Sequence, residues 1–417
     1  MGLNYVVSPV IVEQGLYVAH AALTAMAFVP ICFGSLASLR KWKNPDDTKR
    51  TLTRQIGESD SEEQDFPAES ISVQAAFVMP VYGSAAVYGL HYLFTHLDKT
   101  YVSYALASYL GLLGVFASTL VGVDILGFIA RLLHIPVDRY HIKLAKNSAD
   151  FYTASFTVLH MFMLVVSILL SGYYALTKNW IASNIFAASL ALGAVQVFSL
   201  ESFKAGIVLM GGMSLYDILW RYGADVMTTV VRNFDGPFRI VFPRLLFGLP
   251  AGQAYKFLSL GVGDIVVPGL FAALCLRFDQ HKAGIKNPEL GQSMNFRKPY
   301  FIACVVASVL GLGSSFAISL VYKRVPPTIV FVSAACILSV LMTASVRGET
   351  QQVFSYVSVE GLEAARIKKV AQDKKRQRAQ ASAARYAPRT TRLPNVIKEE
   401  SLASSGSRPS RSNAGEE

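Results

Sequence analysis

The chain has 417 residues, of which 52% are hydrophobic and 16% charged, and its formal net charge is +11. A water-soluble protein of this length needs more polar surface to cover its core, so the composition excludes a soluble globular enzyme. Apolar runs of about twenty residues recur along the chain, and that length crosses a bilayer core. Because lipid offers no hydrogen-bond partners, and because the runs do not alternate, helices are favoured over a barrel. The predicted fold class is an all-α membrane protein.

Nine apolar segments predict about nine transmembrane spans. In chain order they cover residues 16–39, 71–94, 101–123, 151–175, 180–199, 204–230, 253–276, 299–322 and 326–346. The first segment is too long for the hydrophobic region of a signal peptide and ends at basic residues, which predicts a retained span. The third has the least defined end, because Asp124 interrupts its apolar run.

The distribution of Lys and Arg predicts the orientation. These residues collect in the loops after spans one, three and seven, and residues 360–417 hold thirteen of them against seven Asp or Glu. Cytoplasmic segments of membrane proteins carry such an excess. With nine spans the N-terminus is then lumenal and the C-terminus cytosolic, although the loop between spans six and seven is also basic. Nucleic-acid binding is the weaker interpretation of the tail, and no nucleic-acid partner is predicted.

These patterns divide the chain into five predicted parts. They are a lumenal N-terminus with the first span (1–40), a polar cytosolic loop (41–70), spans two to five (71–200), a core of spans six to nine (201–350) whose acidic residues, described next, make it the candidate catalytic core, and a basic, largely disordered cytosolic tail (351–417).

Two acidic residues lie deep in apolar segments, Asp217 in span six and Asp264 in span seven. Charge is costly there, so such residues mark functional sites. Two carboxylates on neighbouring helices can share a proton; the ionised one then takes a proton from water while the protonated one polarises a peptide carbonyl. Gly261 and Gly263 would let span seven bend and admit a substrate backbone. This chemistry needs neither metal nor cofactor, and none is predicted.

The aspartate pair by itself favours a transporter or channel over a protease, since intramembrane acids also serve proton and cation pathways. Internal repeats would support a transporter, and no convincing repeat is found. A third interpretation is a degradation factor that binds membrane helices with little turnover.

The surroundings of the aspartates change this balance. Tyr216-Asp217 and residues 260–264, which read Leu-Gly-Val-Gly-Asp, resemble the YD and GxGD motifs of presenilin-type intramembrane aspartyl proteases. Other stretches similar to the family's pattern follow in the same order: residues 178–184, 211–212, 242–243, 265–269, 277–279 and 348–349. The resemblance covers residues 16–356. It implies a presenilin-like fold, catalysis by Asp217 and Asp264, and a supporting role for Tyr216, Gly261 and Gly263.

Within that family, the chain is most similar to the signal peptide peptidase branch. The lumenal N-terminus predicted above and the lack of a large domain before span one both fit that branch. The resemblance implies that the substrates are transmembrane helices, such as signal-peptide remnants and type II membrane segments. It also implies the endoplasmic-reticulum membrane as location, and a homo-oligomer or the membrane-protein degradation machinery as partners.

Two departures from the family's pattern limit these expectations. The family has a Gln-Pro-Ala-Leu segment at the start of span nine, where this chain has Pro326-Pro327-Thr328-Ile329. The resemblance makes Pro327, Thr328 and Ile329 candidate substrate-binding residues with an altered preference. A dilysine retrieval signal is also missing at residues 413–417, so the location rests on the family alone.

Overall fold

The computed structural model describes residues 9–39, 69–134, 139–146, 149–222, 236, 238–244, 256–284, 296–322, 326–359, 361–362, 365–366, 369, 372–373 and 376. Within these ranges nine helices have 18 residues or more. They are α1 (Pro9–Ser38), α2 (Val73–His96), α3 (Lys99–Leu132), α4 (Val158–Thr177), α5 (Trp180–Val197), α6 (Phe203–Tyr222), α7 (Gly263–Lys282), α8 (Pro299–Tyr322) and α9 (Thr328–Val346). A short helix, α10 (Thr350–Ser355), follows. Most of the predicted tail lies outside the described residues.

In the part of the chain that the structure describes, six short strands form three two-stranded sheets. They are β1 (Glu69–Ile71), β2 (Arg139–Lys146), β3 (Ala149–Thr157), β4 (Phe198–Leu200), β5 (Arg239–Pro243) and β6 (Phe257–Gly261). β1 pairs with β4 in parallel, whereas β2 with β3 and β5 with β6 pair antiparallel. In chain order, β5 and β6 come between α6 and α7, the two helices that carry the aspartates.

Seven of the nine long helices are apolar enough to cross a membrane, namely α1 to α5, α8 and α9. α6 and α7 have lower mean hydropathy because each carries charged residues, among them Lys204, Asp217 and Arg221 in α6. The chain is thus a multi-pass, mainly helical membrane protein, as predicted. The count of nine spans stays a prediction.

The predicted starts of spans four and seven are wrong. Span four was placed from residue 151, but residues 149–157 form β3, and α4 begins at Val158. Span seven was placed from residue 253, but β6 occupies 257–261 and α7 begins at Gly263. Both stretches are rich in aromatic or apolar residues, and a short apolar run does not distinguish a strand from a buried helix.

One other boundary also differs from the sequence prediction. α3 continues through Asp124 to Leu132, so the carboxylate interrupts the apolar run without ending the helix. α6 is described from Phe203 to Tyr222, and the rest of the predicted span six, residues 223–230, lies outside the described residues.

α7 is the central helix of the bundle. It packs against α1, α5, α6, α8 and α9, and its residues 267–280 are buried. α2 and α4 are different, since large apolar side chains such as Phe77 and Leu169 are exposed on them, at 71% and 68%. Exposed apolar side chains suit lipid contact, whereas a buried helix can hold charged groups away from hydrocarbon.

Three connecting segments meet on one face of the bundle. β1, which precedes α2, pairs with β4, which precedes α6. Ser202 forms a β-bridge with Val357, and the N–H of Ser358 donates to the carbonyl of Glu201 at 2.7 Å. The segments before α2, before α6 and after α9 therefore share one side of the membrane bundle.

α8 and α9 pack with their backbones in close contact at Gly311. A Cβ at this position would lie 2.7 Å from Cα and 3.1 Å from the backbone nitrogen of Val332 on α9. Ser315, one turn later on α8, donates a hydrogen bond to the hydroxyl of Thr328 at 3.2 Å. Small residues of this kind let membrane helices approach closely.

We expect Gly311→Ala to destabilise the protein by about 1–3 kcal/mol, because the added methyl meets backbone atoms that cannot rotate away. Thermal unfolding in detergent measures the change. Gly313→Ala on the same helix is the matched control, since nothing lies within 4 Å of a Cβ there. Equal melting temperatures for the two variants would contradict the close approach of α8 and α9.

Candidate active site

The orientation of α6 is fixed by its contact with α2. Gly212, Tyr216 and Trp220 lie one turn apart and form one stripe along α6. A Cβ on Gly212 would lie 2.8 Å from Cγ of Pro80, and the indole of Trp220 donates a hydrogen bond to the hydroxyl of Ser84 at 3.0 Å. With this stripe turned towards α2, the next stripe, which carries Asp217 and Arg221, is presented beside it, because successive residues on a helix are about 100° apart.

Tyr216 has a packing role in this arrangement. Its ring lies against Gly83 on α2, where a Cβ would come within 3.3 Å of Cε2 of the ring. The contact packs the ring against α2, and the supporting role of Tyr216 in catalysis stays a prediction. Gly83 permits it, because any larger residue would displace the ring.

Asp217 is paired with Arg221 on the next turn of α6. The Nη2 atom of Arg221 donates to both carboxylate oxygens, at 3.0 and 3.2 Å. The side chain of Asp217 is 19% exposed and that of Arg221 33% exposed. One of the two candidate catalytic acids therefore forms an ion pair with a guanidinium group.

Sequence reasoning missed Arg221. The signal that could have revealed it is its spacing, because residues four apart lie on the same face of a helix.

Asp264 is positioned by the end of β6 and the start of α7. The strand ends at Gly261, and the N–H groups of Ile265 and Val266 already donate to the carbonyl of Val262, at 3.1 and 2.9 Å. Asp264 therefore lies in the first helical turn. A Cβ on Gly261 would be 3.3 Å from Oδ2 of Asp264, so a side chain at residue 261 would crowd the carboxylate.

Gly263 stands beside open space. Nothing lies within 4 Å of a Cβ built on it, and the residue is exposed. The two glycines of the motif thus differ, since Gly261 is constrained by the carboxylate and Gly263 borders a gap next to it. The sharp change from strand to helix at these residues agrees with the bend expected in span seven.

The structure brings the two aspartates into one site. α6 and α7 pack against each other, and both Asp217 and Arg221 lie close enough to Asp264 to act on it electrostatically. Among the described residues, no group of three or more His, Cys, Asp or Glu side chains is arranged to hold a metal ion. The arrangement offers two carboxylates and a guanidinium beside an extended backbone strand.

The candidate substrate-binding segment before α9 is packed inside the protein. Pro327 is the N-cap residue of α9, and the side chains of Thr328 and Ile329 are buried. Thr328 accepts the hydrogen bond from Ser315 described above. These side chains shape the start of α9 through protein contacts, and their predicted role in binding substrate stays a prediction.

The comparison with known proteins assigns the family. The sequence profile described as signal peptide peptidase matches residues 62–360, well over half of the chain. The chain belongs to the signal peptide peptidase family. It is an intramembrane aspartyl protease, as the two motifs predicted.

Individual relatives agree with this family assignment. The signal peptide peptidase of Mus musculus is 30% identical over 361 residues, covering 85% of this chain and 86% of the relative. The signal peptide peptidase of Homo sapiens is 29% identical over 363 residues, covering 85% and 87%. A probable intramembrane protease of Schizosaccharomyces pombe is 29% identical over 311 residues, covering 74% and 91%.

A solved presenilin family intramembrane aspartate protease is also similar, with a TM-score of 0.40 and 14% identity over 78% of this chain and 99% of that one. At that distance it adds nothing to the family assignment.

We expect Arg221→Met to tighten the binding of a hydroxyl-containing transition-state analogue of aspartyl proteases by about 2- to 5-fold. The analogue must contact both carboxylates, and in the native chain it competes with an ion pair worth up to about 1 kcal/mol. Inhibition constants of the purified variants measure the change. Arg221→Lys, which keeps the charge, should bind the analogue as the native chain does. Weaker binding to the Met variant would show that Arg221 assists the analogue.

Proposed function

We propose that this protease hydrolyses peptide bonds within transmembrane segments, with Asp217 and Asp264 as its catalytic pair. The observation that carries the proposal is the continuity of β6 with Asp264. An extended strand leads directly to Asp264 at the start of α7, which packs against α6, the helix that carries Asp217. The substrate classes are signal-peptide remnants, in line with the names of the relatives, and type II membrane segments, which are an expectation from the family resemblance.

The two carboxylates divide the chemistry between them. The ionised member takes a proton from the attacking water, and the protonated member donates to the carbonyl oxygen of the scissile peptide bond. The tetrahedral intermediate then collapses when a proton reaches the leaving nitrogen. The guanidinium of Arg221 competes with water and substrate for the lone pairs of the two oxygens of Asp217.

An exposed strand edge can hold the substrate in reach of the pair. Peptide bonds in a helix are hydrogen-bonded internally, so a transmembrane substrate must unwind before it is cut. An unwound segment in a low-water environment needs new backbone partners, and a sheet edge supplies them. Ser259 on β6 is exposed. A segment paired along this edge would pass beside Gly263 towards Asp264.

The β5–β6 ladder shows which backbone groups face that edge. The N–H of Val262 donates to the carbonyl of Phe238 at 3.0 Å, and the N–H of Arg244 donates to the carbonyl of Lys256 at 2.8 Å. Bonded and non-bonded pairs alternate in an antiparallel ladder. The Leu258–Phe242 pair is therefore bonded, while Ser259 and its partner Val241 direct their N–H and C=O groups outwards.

The proposed location is the endoplasmic-reticulum membrane, with a lumenal N-terminus and a cytosolic C-terminus. The excess of basic residues in the loops after spans one, three and seven supports this orientation. The shared face of the segments before α2, before α6 and after α9 is also what nine alternating spans require. The proposed partners are the substrate helices, with homo-oligomers or degradation machinery as further expectations from the family.

Asp264→Asn and Asp217→Asn should each lower turnover of a defined signal-peptide substrate in liposomes by at least about 10²–10⁴-fold, since each removes one half of the acid–base pair. Asp124→Asn is the matched control, because it also replaces a carboxylate within a long apolar helix, α3, and it should cleave as the native chain does. Retained cleavage by either active-site variant would refute the assignment of the pair.

Ser259→Pro tests the edge of β6. Proline removes an N–H that faces outwards and leaves the ladder with β5 intact, so we expect KM to rise by up to about tenfold, the worth of one backbone hydrogen bond. The concentration of active sites, titrated with the transition-state analogue, should not change. Leu258→Pro, which removes a bond inside the ladder, should reduce the titratable sites instead. An unchanged KM for Ser259→Pro would rule out pairing along β6.

A further inference from the structure

The outer edge of β5 is closed by a side chain from another helix. Asn184 lies on α5 and is buried. Its Nδ2 donates to the carbonyl of Val241 at 2.7 Å, and the N–H of Val241 donates to its Oδ1 at 2.8 Å. Val241 is the middle residue of β5. The side-chain amide therefore occupies both backbone groups that a third strand would use.

The two edges of the β5–β6 sheet differ in whether their outward backbone groups are bonded to α5. The outward groups of Val241 are bonded to Asn184, whereas Ser259, opposite Val241 on β6, is exposed. A segment that paired along β5 would lie on the far side of the sheet from Asp264, which follows β6. The edge that Asn184 closes is thus the one that would hold a substrate away from the catalytic carboxylate.

A separate contact attaches the same sheet to α5. Trp180, one turn before Asn184, packs its ring against Phe242 of β5 and Phe257 of β6, with centroids 5.8 and 6.4 Å apart. These ring contacts hold both strands on α5 without using their hydrogen-bonding groups. Asn184 is therefore not needed merely to dock the sheet, and its two hydrogen bonds act on the backbone of one strand.

We propose that Asn184 is a positioning residue for proteolysis, which closes the outer edge of β5 so that an unwound substrate pairs along β6 in a single register. The proposal rests on the proposed function, in which the β6 edge receives the substrate. Register decides which peptide bond lies at Asp264, because a shifted segment brings a different bond to that point. A shift by one residue also reverses the direction of every side chain along the strand. Asn184 would then govern the choice of the cleaved bond.

The test compares the cleavage products of Asn184→Leu with those of the native chain. Leucine has a similar size and no hydrogen-bonding group. We expect the products of a defined signal-peptide substrate, separated by mass spectrometry, to spread from one main bond to neighbouring bonds. We also expect KM and turnover per titrated active site to fall together by up to about tenfold, because a segment paired along β5 is bound out of reach of Asp264 and is not cleaved.

Two further variants separate this role from stability. Asn184→Asp keeps the acceptor for the N–H of Val241 but not the donor to its carbonyl, and it should show the same spread of products even if the Leu variant does not fold. Asn179→Ala removes the N-cap of α5, whose side chain accepts from Ile181 at 2.8 Å. It should lower heat stability with native products and native KM.

The proposal would be overturned if the Asn184 variants that fold gave the products and the KM of the native chain. If neither of them gives titratable sites while Asn179→Ala does, Asn184 is a folding residue and the proposal also fails. The Ser259→Pro result distinguishes failure of the proposal for Asn184 from failure of the proposed substrate edge on β6. An effect there without one at Asn184 removes only the role of Asn184, whereas no effect at Ser259 removes the substrate edge on which that role depends.

Discussion

The structure depends on one constraint, that backbone N–H and C=O groups in hydrocarbon must be hydrogen-bonded within the protein. Helices meet it by themselves, yet a protease of membrane segments must handle extended backbone. Here the helical pattern is interrupted beside Asp264, where β5 and β6 bond to each other. Asn184 then bonds the outer groups of β5 at Val241. The interruption is thus bonded to α5 on the side away from Asp264, whereas on the side beside Asp264, in the described part of the chain, Ser259 is exposed.

The same constraint explains why α6 and α7, which carry the two aspartates, are the least apolar of the nine described long helices. A charged side chain is tolerated at membrane depth only inside a bundle or in a watery cavity. α7 is enclosed by five other helices. Asp217 on α6 forms an ion pair with Arg221 on the same helix. α2, which packs against α6, carries exposed apolar side chains that suit contact with lipid.

Much of this organisation could be predicted from the sequence. Residue type and spacing identified the apolar helices, and Asp217 and Asp264 were found because acids are rare in such runs. The resemblance around them then indicated the chemistry and the family. The strands were missed because residues 257–261 are as apolar as the helix that follows, so hydrophobicity alone did not separate them. The start of α4 was misplaced for the same reason.

Contacts between distant residues could not be predicted at all. Asn184 and Val241 are 57 positions apart, and an asparagine near the start of an apolar helix has many possible partners. Gly311 on α8 meets Val332 on α9 only because the two helices cross at that point. Arg221 is the exception, since its position four residues after Asp217 is a local signal that could have been read.

The bridge between Ser202 and Val357 has a mechanical consequence. It ties the segment that begins α6 to the segment that leaves α9, and these two helices also pack against each other. Two helices that are held together at one end can separate only at the other end. Any opening between α6 and α9 would therefore be widest at the end away from this bridge, and a helix entering there would arrive tip first.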